Sequence, residues 1–166
     1  MDGWTIVPAT EADIPAMRRI ESAPGYERLV GRWREERHRA EMAKASSRYF
    51  VLRDAARDVA GFALVQGFGD EELRLHLKRI AVRDPGGGTG SFLLRAVLAR
   101  VFRETETNRV DLDVFLDNDR ARRAYEKAGF VAEGVLRDWH RNADGSFTTV
   151  RLMSVLRREW EAFGAR

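Results

Sequence analysis

Four glycines fall within positions 86–90, in the stretch Pro85-Gly86-Gly87-Gly88-Thr89-Gly90-Ser91, and their flanks limit what the chain can become. Leu73 to Val82 reads as a strand, and beyond the turn Phe92, Leu93, Val97, Leu98, Val101 and Phe102 recur at helical spacing. A strand that runs through a bare turn into an amphipathic helix rules out an all-α or all-β domain. Free backbone N–H groups and the positive end of the helix dipole then face one point, where a phosphate is welcome. Glycine lets that phosphate approach without meeting a Cβ. A flexible loop without a ligand is the competing reading. Of the phosphate-binding turns, a nucleoside-triphosphate loop needs a lysine after its last glycine, and Ser91 stands there. A dinucleotide fingerprint starting at Gly86 would want its third glycine where Ser91 stands, and the flanking elements do not repeat as strand–helix units, so that reading stays open as a weak match. A third possibility is the Gly-x-Gly turn that seats the diphosphate of coenzyme A.

The other elements follow from local signals. Trp4 to Val7 reads as a short strand, and Thr10 with Asp13 opens a helix through Met17 and Ile20. Residues from Trp33 to Lys44 read as a solvated helix. Tyr49–Leu52 and Val59–Val65 are apolar runs around a polar connection, the pattern of an antiparallel hairpin. Val110, Leu112 and Val114 alternate with Asp111 and Asp113 as a strand, Asp117-Asn118-Asp119 caps a helix to Ala128, and Gly129 stops it. Phe130 onward is a strand, Asp144-Gly145 a turn, and Phe147 to Leu156 a last strand, so the chain is expected to end in a hairpin. The order predicts an α/β fold over residues 1–166: one domain with a mixed, mostly antiparallel sheet, a central strand–helix–strand crossover and flanking helices.

Composition removes whole classes of chemistry. The chain has no cysteine, which excludes disulfides, thiol nucleophiles and thiolate metal sites and fits a cytoplasmic location. His38, His76 and His140 are too scattered for a local metal-ligand pair, so no metal is expected. Lysine and arginine exceed the acids by only three, and the two signs intermingle, so no nucleic-acid partner is expected. The amino terminus lacks a signal-peptide pattern, and no apolar run nears the ~20 residues of a membrane span, so no membrane partner is expected either.

The runs Leu77-Lys78-Arg79-Ile80-Ala81-Val82, Gly86 to Leu94, Leu112-Asp113-Val114 to Asn118 and Ala121 to Phe130, in this order and spacing, resemble the GCN5-related N-acetyltransferase family. The resemblance covers most of residues 73–156. It implies acetyl-CoA as acyl donor, with backbone groups of Ile80 and Val82 pairing with the pantetheine arm as an added strand would. It also implies that N–H groups of Gly86, Gly87, Gly88, Thr89, Gly90 and Ser91 hold the diphosphate, and that Asn118 touches the coenzyme. Most relatives begin the turn with arginine or glutamine where this chain has Pro85, so one side-chain contact is lost. Tyr125, ahead of Gly129-Phe130, matches the family's general acid for the departing thiolate; the alternative is a packed aromatic with a backbone partner. The tail Gly134-Val135-Leu136-Arg137-Asp138 with its hairpin resembles the branch of ribosomal-protein and spermidine acetyltransferases.

The implied reaction is direct transfer of the acetyl group to a primary amine: a small molecule, polyamine, amino acid or protein N-terminus. Such amines are mostly protonated at neutral pH, so a base is needed. His76 is the candidate, because simple alternation puts it on the same strand face as Ile80; a satisfied structural histidine is the alternative. Asp111 and Asp113 share a face of the next strand and could attract the amine or relay its proton, or form a hydrogen-bonded pair. A non-catalytic acyl-CoA-binding module of the same fold is the rival to the enzyme. The apolar final strand could pair across a homodimer.

Overall fold

The computed structural model describes residues 3–26 and 29–164. A strand β1 (Thr5–Pro8) leads through one 3-10 turn (Glu11–Asp13) into α1 (Ile14–Glu21), then α2 (Glu35–Met42). The hairpin β2 (Ser47–Arg53) and β3 (Val59–Gln66) precedes β4 (Arg74–Val82) and α3 (Thr89–Glu104). After β5 (Arg109–Phe115) and α4 (Asp119–Lys127), the chain forms the hairpin β6 (Val131–Arg141) and β7 (Phe147–Leu156) and closes with α5 (Arg157–Gly164). All seven strands form one sheet in the order β1-β2-β3-β4-β5-β7-β6. Only β4 and β5, linked by α3, run parallel; the other neighbours are antiparallel. This is the mixed α/β sheet with a central crossover that the sequence predicts.

Burial explains the layering. The apolar stripe of α3 (Leu93, Leu94, Val97, Leu98, Val101, Phe102) packs against one sheet face through Leu52, Val65, Leu77 and Leu112. Ile14, Met17 and Ile20 of α1 cover the other face at Val51, Phe62, Leu64 and Ala81. β3 is therefore buried on both sides, as its unbroken apolar run requires, whereas β5 alternates and is buried on one face only.

Two departures from simple alternation build the site. Leu64 pairs with Arg79 and Val65 with Leu77, so Lys78 is an extra residue, a bulge in β4. One added residue exchanges the two faces of a strand. Leu75 and Leu77 therefore point to the α3 core together with Val82, while Ala81 joins the α1 core. The face shared by His76 and Ile80 under strict alternation does not survive the bulge. The second departure is a splay: β4 pairs with β5 only over Arg74–His76 against Arg109–Asp111, and beyond that the two strands part.

Two further expectations are corrected. The chain does not end in a hairpin, because α5 follows β7. Trp160 of α5 stacks on Phe102 at 5.2 Å, and Arg157 donates to the carbonyls of Phe102 and Thr105, both at 2.7 Å, and of Thr107 at 2.9 Å. These are carbonyls at and just beyond the open end of α3. The final strand is also interior, flanked by β5 and β6, so it offers no edge to a second copy. That edge belongs to β6, where Val131, Val135 and Trp139 are exposed.

Candidate active site

The glycine turn connects β4 to α3 and is open. Gly86 and Gly88 have φ of +107° and +86°, conformations that side chains resist. A Cβ placed on Gly86 or Gly87 would meet nothing within 4 Å. The first helical bond runs from Phe92 N–H to Gly88 C=O at 3.0 Å, so the N–H groups of Thr89, Gly90 and Ser91 precede the ladder and carry the positive end of a 16-residue helix. Pro85, Gly86, Gly88, Gly90 and Ser91 line a cavity of 430 Å³. Thr89 turns its side chain inward, and Gly87 lies outside the lining. The far wall is α4, which contributes Arg120, Arg123 and Lys127. None of the three has an acidic partner among the described residues. Their spacing of three and four residues marks one helix face, the signal by which sequence reasoning could have found them. A cradle of bare amides facing a cationic helix fits a diphosphate better than a neutral ligand.

The edge of β4 forms the floor of this cavity. The Tyr26 hydroxyl accepts from Val82 N–H at 3.1 Å and donates to Val82 C=O at 2.9 Å, so both outward groups of Val82 are occupied in this structure. Ile80, two residues along the same edge, faces the gap left by β5 and lines the cavity. An added strand would find its free backbone at Ile80. Asn118 caps α4, its Oδ1 accepting from Ala121 N–H at 3.2 Å, and it also lines the cavity.

Tyr125 lies on the α4 face with Ala121 and Ala124, against Phe130 at 5.8 Å. The helix end that carries it is locked: Phe130 N–H reaches Tyr125 C=O and Gly129 N–H reaches Glu126 C=O, both at 3.0 Å, with Gly129 at φ +96°. Burial, with Asp113 adding to it, pushes the phenol well above its ordinary value of 10, so it holds its proton at neutral pH.

A second, larger cavity of 810 Å³ opens on the other side of Tyr125. The two share Leu29, Val30, Ile80, Asn118 and Tyr125 as a common wall. The second is lined by the splayed strands, including Lys78, Arg79, Asp113 and Phe115, by Trp33 and Arg37, by His140 and Arg141 at the end of β6, and by Asp144 of the β6–β7 turn. Asp113 accepts from His140 Nε2 at 2.7 Å and lies 3.4 Å from His76 Nε2. His76 Nδ1 donates to Asp111 at 2.6 Å. The structure thus brings two distant histidines onto one carboxylate, although His76 itself lines neither cavity. Among the described residues no group of three or more such side chains could hold a metal ion.

With a carboxylate at each ring nitrogen, His76 needs both protons. Burial lowers its pKa, but the bonds to Asp111 and Asp113 outweigh that and raise it to about 9. Against the opposing effect of burial, His76 and His140 together hold Asp113 well below the ordinary carboxylate range. Because the folded value exceeds the unfolded one near 6.5, the stabilisation is complete below pH ~6.5 and is lost as pH rises through about 9. Ring-nitrogen NMR is expected to show His76 doubly protonated at pH 7, with a midpoint near 9; a midpoint near 6.5 would discard the ion pair.

Behind the second cavity lies a buried network. Glu21, 1% exposed, accepts from Arg79 Nη2 at 2.6 Å and Nε at 3.1 Å and from Trp33 N–H at 3.1 Å. His38 Nε2 sits 3.4 Å from Glu21, and its Nδ1 meets the Tyr49 hydroxyl at 3.0 Å. Arg79 Nη2 also reaches Gly31 C=O at 2.8 Å, so the network pins the 29–33 segment over the cleft.

An open glycine turn backed by cations, a splayed strand edge and a buried, protonated tyrosine thus meet at the wall between two cavities. Residues 14–130 match the acetyltransferase (GNAT) family, and the chain belongs to it. A Bacillus subtilis (strain 168) protein, "Putative ribosomal N-acetyltransferase YdaF", is 33% identical over 82 residues; that match covers 49% of this chain and 44% of the relative's length. Among solved structures, the chain resembles a chimera of the Vibrio cholerae spermidine N-acetyltransferase SpeG with hSSAT (TM-score 0.84, 20% identity, 96% of this chain and 99% of the other). It also resembles the Vibrio cholerae spermidine N-acetyltransferase in complex with CoA and spermine (TM-score 0.83, 18% identity, 97% and 99%). At these identities the structures show a common fold.

Proposed function

We propose that this protein transfers the acetyl group of acetyl-CoA directly to a primary amine. The observation that carries the reading is the common wall: two cavities, one ending in the diphosphate cradle and one polar, meet at Ile80, Asn118 and Tyr125. Both substrates can then be present together, and proximity supplies much of the rate without a covalent enzyme intermediate. The diphosphate lies on the N–H groups of the glycine turn, from Gly86 and Gly88 to Ser91, with Arg120, Arg123 and Lys127 supplying the charge that Pro85 cannot. The amides of the pantetheine arm pair with Ile80.

The amine nitrogen attacks the thioester carbon, the C–N bond forms and the C–S bond breaks. Tyr125 gives its proton to the departing sulfur and regains one from solvent. On the acceptor side His140, fixed by its Nε2 on Asp113, receives the amine proton at Nδ1 and passes it to water. His76 acts from behind, as a charged clamp on Asp113 rather than as the free base, because both its nitrogens already face carboxylates. The absence of cysteine suits a reducing compartment such as the cytoplasm, and no described helix is long and apolar enough to cross a membrane. The exposed apolar edge of β6 is where a second copy would add.

Thiol release from acetyl-CoA, followed with a panel of amines, amino acids and peptide N-termini, tests the transferase. Turnover on at least one acceptor is expected. Coenzyme A binding with no turnover on any of them would favour the non-catalytic module.

A further inference from the structure

The charges of the second cavity point to the chemistry of the acceptor. Four of its lining residues are cationic, namely Arg37, Lys78, Arg79 and Arg141, against two carboxylates, Asp113 and Asp144. Both acids are already engaged. Asp113 is bonded to His140 and faces His76, and Asp144 accepts from Ser146 N–H at 2.9 Å and from its hydroxyl at 2.6 Å. Of the cations, only Arg79 has a carboxylate partner, the buried Glu21.

Arg37, Lys78 and Arg141 have no acidic partner among the described residues. They come from three elements that the fold brings to one rim. Arg37 on α2 stacks at 3.9 Å over Trp33, whose ring also carries the Arg79 guanidinium at 4.3 Å. Lys78 is the extra residue of the β4 bulge, and Arg141 ends β6. Unpaired cations around a concave wall concentrate anions and repel cations.

We propose that the acceptor is a primary amine that itself carries a carboxylate: an acidic amino acid, or a peptide whose N-terminal residue is followed by an acidic one. The amine reaches Tyr125 and the His140–Asp113 pair, while the carboxylate rests among Arg37, Lys78 and Arg141. A linear polyamine offers only positive charge to this rim and is the acceptor it excludes. The inference rests on the transferase reading for the identity of the site, but its charge preference can be measured without turnover.

Two measurements on the full chain test it. The first is calorimetric binding, in the presence of coenzyme A, of glutamate, of matched tripeptides with glutamate, glutamine or lysine in second place, and of spermidine. An acidic amine, free or in the tripeptide, is expected to bind at least 10-fold more tightly than its neutral or basic counterpart, with an affinity that falls as salt rises. The two acidic arms distinguish a small metabolite from a peptide end. The second is kcat/KM on the same set for the wild type, Arg141→Glu and Lys78→Gln. Arg141→Glu is expected to reduce the acidic preference at least 10-fold through KM, with the Kd for coenzyme A unchanged, and Lys78→Gln to reduce it less. Spermidine binding as well as the acidic ligands, no binding by any of them, or a ranking indifferent to Arg141→Glu each overturns the proposal. A preference in binding without turnover leaves it standing and removes only the transferase reading.

Discussion

Replacing Tyr125 by phenylalanine is expected to lower kcat by roughly 10²- to 10³-fold, the ordinary scale for losing a positioned proton donor, while the Kd for coenzyme A stays within about twofold. The ring would keep its packing on Phe130, so the variant removes one hydroxyl and little else. Since burial and Asp113 keep the phenol protonated, wild-type kcat should show no loss from tyrosine ionisation up to about pH 10. Loss of kcat with unchanged coenzyme affinity separates a proton donor from a binding contact. An unaltered kcat in Tyr125→Phe would remove the residue from the acid role and leave it as the wall between the cavities.

The second large effect concerns stability. Glu21→Ala leaves the Arg79 guanidinium in the interior without its carboxylate and removes a partner of His38 and of Trp33 N–H. Breaking one side of a buried pair costs about 3–5 kcal/mol. At about 2–4 °C per kcal/mol for a chain of this size, Tm should fall on the order of 10 °C. The double variant Glu21→Ala/Arg79→Met should melt closer to the wild type, because an apolar side chain does not need the missing charge. A single variant as stable as the wild type would show that the network contributes nothing to folding.

Much of this fold was legible because its signals are local. The stripe of α3, the alternation of Val110, Leu112 and Val114, and the Asn118 and Gly129 caps are each decided within a few residues, and the structure reproduces all three. The glycine turn was readable for the same reason, since its requirement is backbone freedom. The bulge was not. Every other residue from Leu75 to Ala81 can be assigned to a face with or without an insertion, and only the register against β3 shows that Lys78 is extra.

The resulting change of face explains why His76, a fair partner for Ile80 on paper, stands behind Asp113 instead. The pairing of Glu21 with Arg79 joins residues 58 positions apart, and Asp113 meets His140 across 27. No local pattern marks either pair. α5 escaped because it is short, and its apolar face consists chiefly of Trp160 and Phe163, too few points to establish a period.

The partition made by Ile80, Asn118 and Tyr125 separates two tasks that could otherwise constrain each other. In the proposed reading the donor rests on amides of the β4–α3 turn together with Arg120, Arg123 and Lys127 of α4. The proposed acceptor cavity draws instead on side chains from the 29–37 stretch, the end of β6 and the turn that follows it. Mutations that retarget the enzyme can therefore accumulate at one mouth while the other keeps its cargo.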